Sequence, residues 1–137
     1  MTLRPQPRFP EPDSQPFWEA TKEKKLIYQT CDSCHKIIFY PRAHCPSCGS
    51  LENSWNESKG DGILYTYSVV MQSRHPAFKD LGAYAIAYVD LDEGFRIMTN
   101  IINVDDPVND LEIGMKVKLS WQDQGEGEIA LPMFEPT

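Results

Sequence analysis

The sequence contains no apolar run that approaches the roughly 18 residues of a membrane-spanning helix. Its N-terminal segment also lacks the apolar region of a secretory signal, so we expect a cytoplasmic protein. Wholesale disorder is excluded, because 41% of the 137 residues are hydrophobic and 11% are aromatic. A chain of this length makes one ordinary domain, or a small domain with an appendage.

Basic residues are scarce in the second half of the chain. Residues 60–137 carry 5 basic and 13 acidic side chains, whereas residues 1–59 carry 8 and 7. The second half therefore has a net charge of −8 and the first half a net charge of +1, which together give the formal −7. Because a phosphate backbone would meet a repulsive field there, nucleic acid is disfavoured as the main partner.

Signatures of catalysis are missing as well. The sequence has no glycine-rich phosphate-binding loop, no H-E-x-x-H and no G-x-S-x-G. Arg74, His75 and Lys79 form a small basic group in a predicted loop, 73–82, where they are either solvated or contact a phosphate or a partner's carboxylate. No constellation of residues supports a self-sufficient enzyme.

The four cysteines carry the strongest signal. They form two C-x2-C pairs separated by ten residues: Cys31, Cys34, Cys45 and Cys48. In a reducing compartment this spacing favours a metal over disulfides, and two such turns facing each other give the tetrahedral set of four sulfurs that Zn²⁺ accepts. A closed set of four thiolates leaves no position for water, so the predicted metal is structural and not catalytic.

Alternatives to a zinc site remain at this stage. One alternative is that the cysteines form redox dithiols, and another is that they bind iron as in a rubredoxin-like electron carrier. His35 or His44 is a further candidate to replace one sulfur ligand. Gly49 follows the second pair, where a metal-binding turn often needs a positive φ, and His35 occupies the equivalent place after the first pair.

The rest of the chain predicts a mainly β protein. Five prolines indicate an extended arm over residues 1–16, and a helix is predicted at 17–25, with Ser14 as its N-cap. Lead-in and ribbon strands are predicted at 26–30 and 37–41. Barrel strands are predicted from β-branched, aromatic and alternating residues at 62–72, 83–91, 95–104, 115–121 and 128–134. The predicted order is arm 1–16, helix and lead-in strand 17–30, zinc ribbon 31–59 and a five-stranded OB-fold barrel 60–137, since closure of a barrel removes sheet edges.

This order of parts, over about residues 16–136, resembles an acyl-CoA-associated zinc-ribbon and OB-fold family long catalogued as a domain of unknown function. The segments that carry the resemblance are Phe17–Ala20, Leu26–Cys31 with Cys34, Tyr40–Arg42, Cys45–Gly49, Trp55, Gly60–Gly62, Val89–Gly94, Ile113–Val117 and Leu131–Pro136. The chain departs from the family pattern at His35, where a glycine is usual, and at Gly82–Tyr84, where a Pro-Tyr pair often opens the strand.

The resemblance implies a small accessory subunit with structural Zn²⁺ and no catalytic residues of its own. Members of such a family work beside thiolase-fold enzymes, or beside hydratases of the hot-dog type. The larger partner performs thiolysis, condensation, acyl transfer or retro-aldol cleavage on acyl-CoA, and the small subunit helps to shape the acyl-CoA entrance. Two other functions are alternatives to an accessory subunit. One is a nucleic-acid-binding protein, with Tyr65 and Tyr67 stacking on bases, and the other is the iron electron carrier.

Overall fold

The computed structural model describes residues 4–6 and 11–137. Within these ranges one short helix, α1 (Gln15–Lys22), precedes eight strands. The strands are β1 (Ile27–Cys31), β2 (Ile37–Ile38), β3 (Asn53–Glu57), β4 (Asp61–Val70), β5 (Tyr84–Leu91), β6 (Arg96–Ile101), β7 (Lys116–Gln122) and β8 (Leu131–Pro136). The described ranges contain no helix that is both long and apolar enough to cross a membrane.

The predicted arm, 1–16, falls partly outside the described residues, which exclude Pro7 and Pro10. Its last two residues are not extended, because α1 begins at Gln15. Pro16 therefore occupies the first turn of the helix, where the missing N–H of proline leaves no hydrogen bond unmade.

Helix α1 is anchored by one apolar face. Phe17 and Thr21 are buried, as their spacing of one helical turn predicts. Ser14 occupies the N-cap position, but its side chain makes no capping hydrogen bond. The helix ends at Lys22, three residues before the predicted end, and the chain turns away through Lys24 at a φ of 58°.

The ribbon is a three-stranded antiparallel sheet in the order β2-β1-β3. Strand β1 pairs with β3 along its whole length, from Ile27 opposite Glu57 to Cys31 opposite Asn53. Strand β3 was not predicted, because Trp55 is its only apolar residue. Backbone hydrogen bonds to β1 stabilise this strand, although its polar composition does not predict one.

The second half forms a closed five-stranded barrel in the order β4-β5-β6-β8-β7. Each predicted barrel strand has a counterpart, although β8 begins at Leu131 and not at residue 128. The alternation predicted for β7 is confirmed at its start, where Val117 is buried between the exposed Lys116 and Lys118. Between β6 and β8 the barrel closes through a single residue pair, Ile101 opposite Phe134. The fold is thus mainly β, with a short helix, a ribbon and an OB-fold barrel.

Aromatic rings join the helix, the ribbon and the barrel. Phe95, immediately before β6, stacks on Tyr28 of β1 with 4.9 Å between ring centroids, and the centroid of its ring lies 4.7 Å from that of Phe39. Phe39 in turn contacts Phe17 of α1 at 5.9 Å. These rings belong to the same core as the barrel interior, so the ribbon has no separate apolar core apart from the residues around its cysteines.

A carboxylate from the barrel holds the link between the two sheets. Ser58 donates its hydroxyl hydrogen to one oxygen of Glu93 at 2.6 Å, and the backbone N–H of Lys59 donates to the other at 2.9 Å. The next residue, Gly60, has a φ of 83°, and a Cβ there would lie 2.6 Å from the Cβ of Leu119. Only glycine therefore fits at this position.

Candidate metal centre and neighbouring groove

The four cysteine sulfurs converge at one end of the ribbon. Cys31 is the last residue of β1, Cys34 follows in the adjoining turn, and Cys45 and Cys48 lie on a second turn. The Sγ atoms of Cys31 and Cys48 are 3.6 Å apart, as are those of Cys34 and Cys45. All four sulfurs lie within 4.8 Å of one another.

The two cysteine turns have the same backbone geometry. The N–H of His35 donates to the carbonyl oxygen of Cys31 at 2.9 Å, and the N–H of Gly49 donates to that of Cys45 at 2.8 Å. Both residues have a positive φ, 63° at His35 and 79° at Gly49. The prediction for these two positions is confirmed, and histidine replaces the usual glycine without a change in the turn.

Backbone amides favour the thiolate form on the buried side of the cluster. The N–H of Cys34 points at the sulfur of Cys31 from 3.4 Å and lowers the pKa of that thiol. The amide of Cys48 is the main cause that lowers the pKa of Cys45 to about 6. At Cys48 the amide of Ser50 acts in the same direction, but the neighbouring sulfurs outweigh it and raise the pKa to about 11.

These distances fit a tetrahedral zinc ion. A Zn–S bond of about 2.3 Å places neighbouring sulfurs about 3.8 Å apart, close to the observed separations. None of the four cysteines is in a disulfide. His35 and His44 are exposed, and neither belongs to the cluster formed by the described residues. The ribbon can therefore hold a zinc ion with sulfur ligands alone.

A buried glutamine links the first strand to the second cysteine turn. Gln29 is 4% exposed, and its side-chain oxygen accepts a hydrogen bond from the N–H of Arg42 at 2.8 Å. Its Nε2 donates to the carbonyl oxygen of Arg42 and to Oδ1 of Asn53, both at 2.9 Å. Because a buried amide needs such partners, this network fixes the segment that leads into Cys45.

The basic group predicted in the loop lies at the surface. Arg74 and His75 are exposed between β4 and β5, and Lys79 begins a single 3₁₀ turn there. The Nδ1 atom of His75 accepts a hydrogen bond from the N–H of Ala77 at 3.0 Å, which occupies one ring nitrogen in a local turn. The ring of Phe78 lies between those of His75 and Tyr84, with centroid distances of 5.4 Å and 5.6 Å, and it stacks on Tyr84.

The two tyrosines proposed to stack on bases face different surroundings. Tyr65 is 48% exposed, but the guanidinium of Arg96 lies 3.5 Å from its ring centroid. Arg96 is also paired with the carboxylate of Asp90 at 2.6 Å, and this hydrogen bond raises the pKa of the guanidinium. The half-buried Tyr67 donates its hydroxyl to the carbonyl oxygen of Leu111 at 2.9 Å. Neither ring lies open on a basic surface.

A groove of about 540 Å³ lies where α1, the ribbon and the barrel meet, and the sequence analysis missed it. Its apolar lining includes Trp18, Tyr40, Phe78, Ile86 and Met98. One signal was present in the sequence. Strand β5 is apolar on both faces, as expected of a strand covered on both sides.

Comparison with protein families divides the chain between two domains. Residues 18–54 match the description "ChsH2, rubredoxin-like zinc ribbon domain". Residues 55–122 match "ChsH2, C-terminal OB-fold domain". The predicted fold class and the predicted zinc ribbon are confirmed by these matches.

Relatives in sequence include two archaeal proteins named as DUF35 domain-containing scaffold proteins. One, from Methanocaldococcus jannaschii, is 39% identical over 107 residues, which cover 74% of this chain and 71% of the relative. The other, from Methanothermobacter thermautotrophicus, is 33% identical over 107 residues, 75% of this chain and 77% of the relative. A "probable enoyl-CoA hydratase alpha subunit" from Thermomonospora curvata is 37% identical over 135 residues, 98% of this chain but 40% of that longer protein.

Two solved structures share the fold. A chain of a structure named "Ltp2-ChsH2(DUF35) aldolase" superposes with a TM-score of 0.84 at 36% identity, covering 96% of this chain and 98% of that one. A DUF35-family protein of unknown function from Sulfolobus solfataricus superposes with a TM-score of 0.65 at 14% identity, covering 95% of this chain and 89% of the other. The second likeness shows the fold alone.

Proposed function

Because this chain belongs to the DUF35 family and joins a rubredoxin-like zinc ribbon to an OB-fold domain, we propose that it is a non-catalytic subunit of an acyl-CoA enzyme. It assembles in the cytoplasm with a thiolase-fold enzyme, or with a hydratase of the hot-dog type, and helps to form the acyl-CoA access. The partner performs the chemistry: thiolysis, condensation, acyl transfer or retro-aldol cleavage.

The likeness to the Ltp2-ChsH2(DUF35) aldolase carries this proposal, since it extends over almost the whole of both chains. The name of that structure joins a DUF35 chain to an aldolase, which is an enzyme that cleaves or forms carbon–carbon bonds. The name of the Thermomonospora relative adds an enzyme of acyl-CoA chemistry. The archaeal relatives are named as scaffolds, which supports a role in assembly over a role in catalysis.

The described residues support a non-catalytic role. The four thiols converge on one another and are not paired with a general base. His75 already uses one ring nitrogen within its own turn. We assign Cys31, Cys34, Cys45 and Cys48 as ligands of a structural Zn²⁺, which would supply cross-linking of the two turns and no reaction chemistry.

The loop between β4 and β5 supplies a second part of the proposal. Arg74 and His75 are exposed there, and Lys79 follows one turn later. These side chains are free to contact the phosphates of an acyl-CoA held mainly by the partner. Replacing Arg74 and Lys79 by alanine in the complex is expected to raise KM for the acyl-CoA and leave kcat unchanged. The exposed Lys116, the first residue of β7, provides the alanine control.

Co-expression with the enzyme encoded by the neighbouring reading frame tests the assembly. We expect the two chains to co-purify and to elute together in size-exclusion chromatography with light scattering. The Cys31→Ser variant is expected to lose the complex together with zinc, whereas Ser33→Ala, in the same turn but outside the sulfur cluster, should keep both. An isolated monomer that binds no thiolase-fold or hot-dog chain would contradict the proposal. Full assembly of Cys31→Ser would show that the ribbon does not organise the complex.

A further inference from the structure

The groove lies beside the junction of β6 and β8 in the barrel wall. Strands β6 and β8 form one ladder pair, Ile101 opposite Phe134, and before it the hydroxyl of Thr99 donates to the carbonyl oxygen of Pro132 at 2.8 Å. Consecutive residues of both strands line the groove, from Ile97 to Asn100 and from Leu131 to Met133. Since alternate residues of a strand point to opposite faces, consecutive lining indicates that the groove runs along the strand edges. Strand β5 contributes Ile86, and in OB-folds the face of the second and third barrel strands, here β5 and β6, is one that binds ligands.

The dimensions and composition of the groove match those of a small-molecule site. Its volume of about 540 Å³ falls within the roughly 300–1,000 Å³ usual for ligand pockets. Trp18, Phe78, Ile86 and Met98 form apolar walls, and Met98 remains 54% exposed. Tyr40 closes one side through its hydroxyl oxygen, which accepts a hydrogen bond from the N–H of Met98 at 2.8 Å.

Arg4 is the one cationic side chain among the described residues that line the groove. The guanidinium of Arg4 donates from Nη1 to Oδ1 of Asn100 and lies 5.2 Å from the ring centroid of Phe78. No carboxylate of the described residues lies within 4.0 Å of it, and the seven residues outside that part contain neither Asp nor Glu. Partial burial lowers the pKa of Arg4, and the neighbouring Tyr84 acts in the opposite direction. Its remaining N–H donors make no hydrogen bond to the described residues, and a carboxylate fits their planar fork.

We infer that this groove binds an apolar carboxylate, with the hydrocarbon along β6 and β8 and the carboxylate on Arg4. The ligand is an acid with an extended hydrocarbon body, held by this chain itself, so the inference goes beyond the proposed assembly and does not depend on a partner enzyme. The net charge of −7 opposes this binding, because the field of the whole protein disfavours anions.

Quenching of tryptophan fluorescence by a brominated ligand tests the inference on the full, zinc-loaded chain. Trp18 lines the groove, whereas Trp55 and Trp121 do not, so replacing the latter two by phenylalanine leaves one reporter. The probes are 11-bromoundecanoate, 11-bromoundecanol and an 11-bromoundecyl trimethylammonium salt, all below their micellar concentrations. We expect saturable quenching that is strongest for the carboxylate and weakest for the cation.

Three variants separate charge from burial. Arg4→Met is expected to weaken carboxylate binding about tenfold or more, the usual effect of losing a charged hydrogen bond, and to leave binding of the alcohol unchanged. Met98→Gln should weaken both probes. Arg42→Met removes an exposed arginine outside the groove and should change neither. Melting curves establish that each variant is folded.

Several outcomes would overturn the inference. These are no saturable quenching by the carboxylate, equal affinity for carboxylate and alcohol, or carboxylate binding that Arg4→Met does not weaken. Light scattering adds a further check. If the chain dimerises and Met98→Gln abolishes the dimer, a second copy occupies the groove in place of a small molecule.

Discussion

Replacement of Phe95 by alanine tests whether the aromatic junction holds the ribbon on the barrel. The Phe95 side chain is 6% exposed and contacts Tyr28 at 4.9 Å and Phe39 at 4.7 Å. Truncation would remove the buried ring and leave a cavity bordered by both sheets. Buried Phe→Ala substitutions usually lower the free energy of unfolding by about 3–5 kcal/mol. In a chain of this size that loss corresponds to a fall in Tm of about 10–20 °C.

Urea unfolding followed by tryptophan fluorescence and by far-UV circular dichroism measures this loss. We expect the two probes to coincide in the unmodified protein and to separate in Phe95→Ala, because the ribbon then unfolds apart from the barrel. Phe95→Leu retains most of the volume and should cost less than about 1.5 kcal/mol. Tyr88→Ala, at a site 41% exposed on β5, controls for loss of an aromatic ring at the surface, with an expected change below about 1 kcal/mol. A loss below about 1 kcal/mol for Phe95→Ala would refute a coupling role for this junction.

Three further predictions address the ribbon, the linker at Gly60 and the loop that contains Asp106 and Asn109. Removal of zinc by a chelator is expected to abolish amide-exchange protection in β1 before that in β5, and simultaneous loss in both strands would contradict a role confined to the ribbon. Gly60→Ala should lower the free energy of unfolding by well over about 1 kcal/mol, because the added Cβ meets Leu119. Gly127→Ala, with a φ of 78° and open space around it, should show only the smaller conformational cost. Denaturant midpoints compare the two variants, and equal losses of stability would exclude the Leu119 contact as the cause. The side chain of Asn109 donates to Asp106 at 2.7 Å and is the main cause that lowers the pKa of that carboxyl. This interaction therefore adds stability at neutral pH that is lost as the pH falls through the lowered pKa, and an NMR titration of Asn109→Ala should show the pKa returning toward about 4.

The metal-binding turns and the barrel strands could be predicted because their signals are local. Two C-x2-C pairs fix the sulfurs within single turns, and the positive φ at His35 and Gly49 follows from the same turn geometry. The barrel strands are rich in β-branched and aromatic residues and are separated by recognisable turns. Their composition alone was enough to place each strand approximately.

Strand β3 and the groove could not be predicted because both depend on distant partners. The segment Asn53–Glu57 is polar, and it becomes a strand only by pairing with β1. The groove requires Arg4 and Asn100, separated by 96 positions in sequence, to meet beside the junction of β6 and β8. No periodicity in the sequence predicts this contact. The contact forms because Arg4, the loop at Phe78 and the barrel come together in the folded chain.

The hydrogen bonds of Glu93 have a mechanical consequence. Its two carboxylate oxygens hold Ser58 and Lys59, the residues at which the chain passes from one sheet to the next, and Gly60 is wedged against Leu119. These contacts restrict rotation of the chain at this crossing. The ribbon and the barrel are therefore expected to move together. An enzyme bound to the ribbon would thereby fix the orientation of the groove that lies beside β6 and β8.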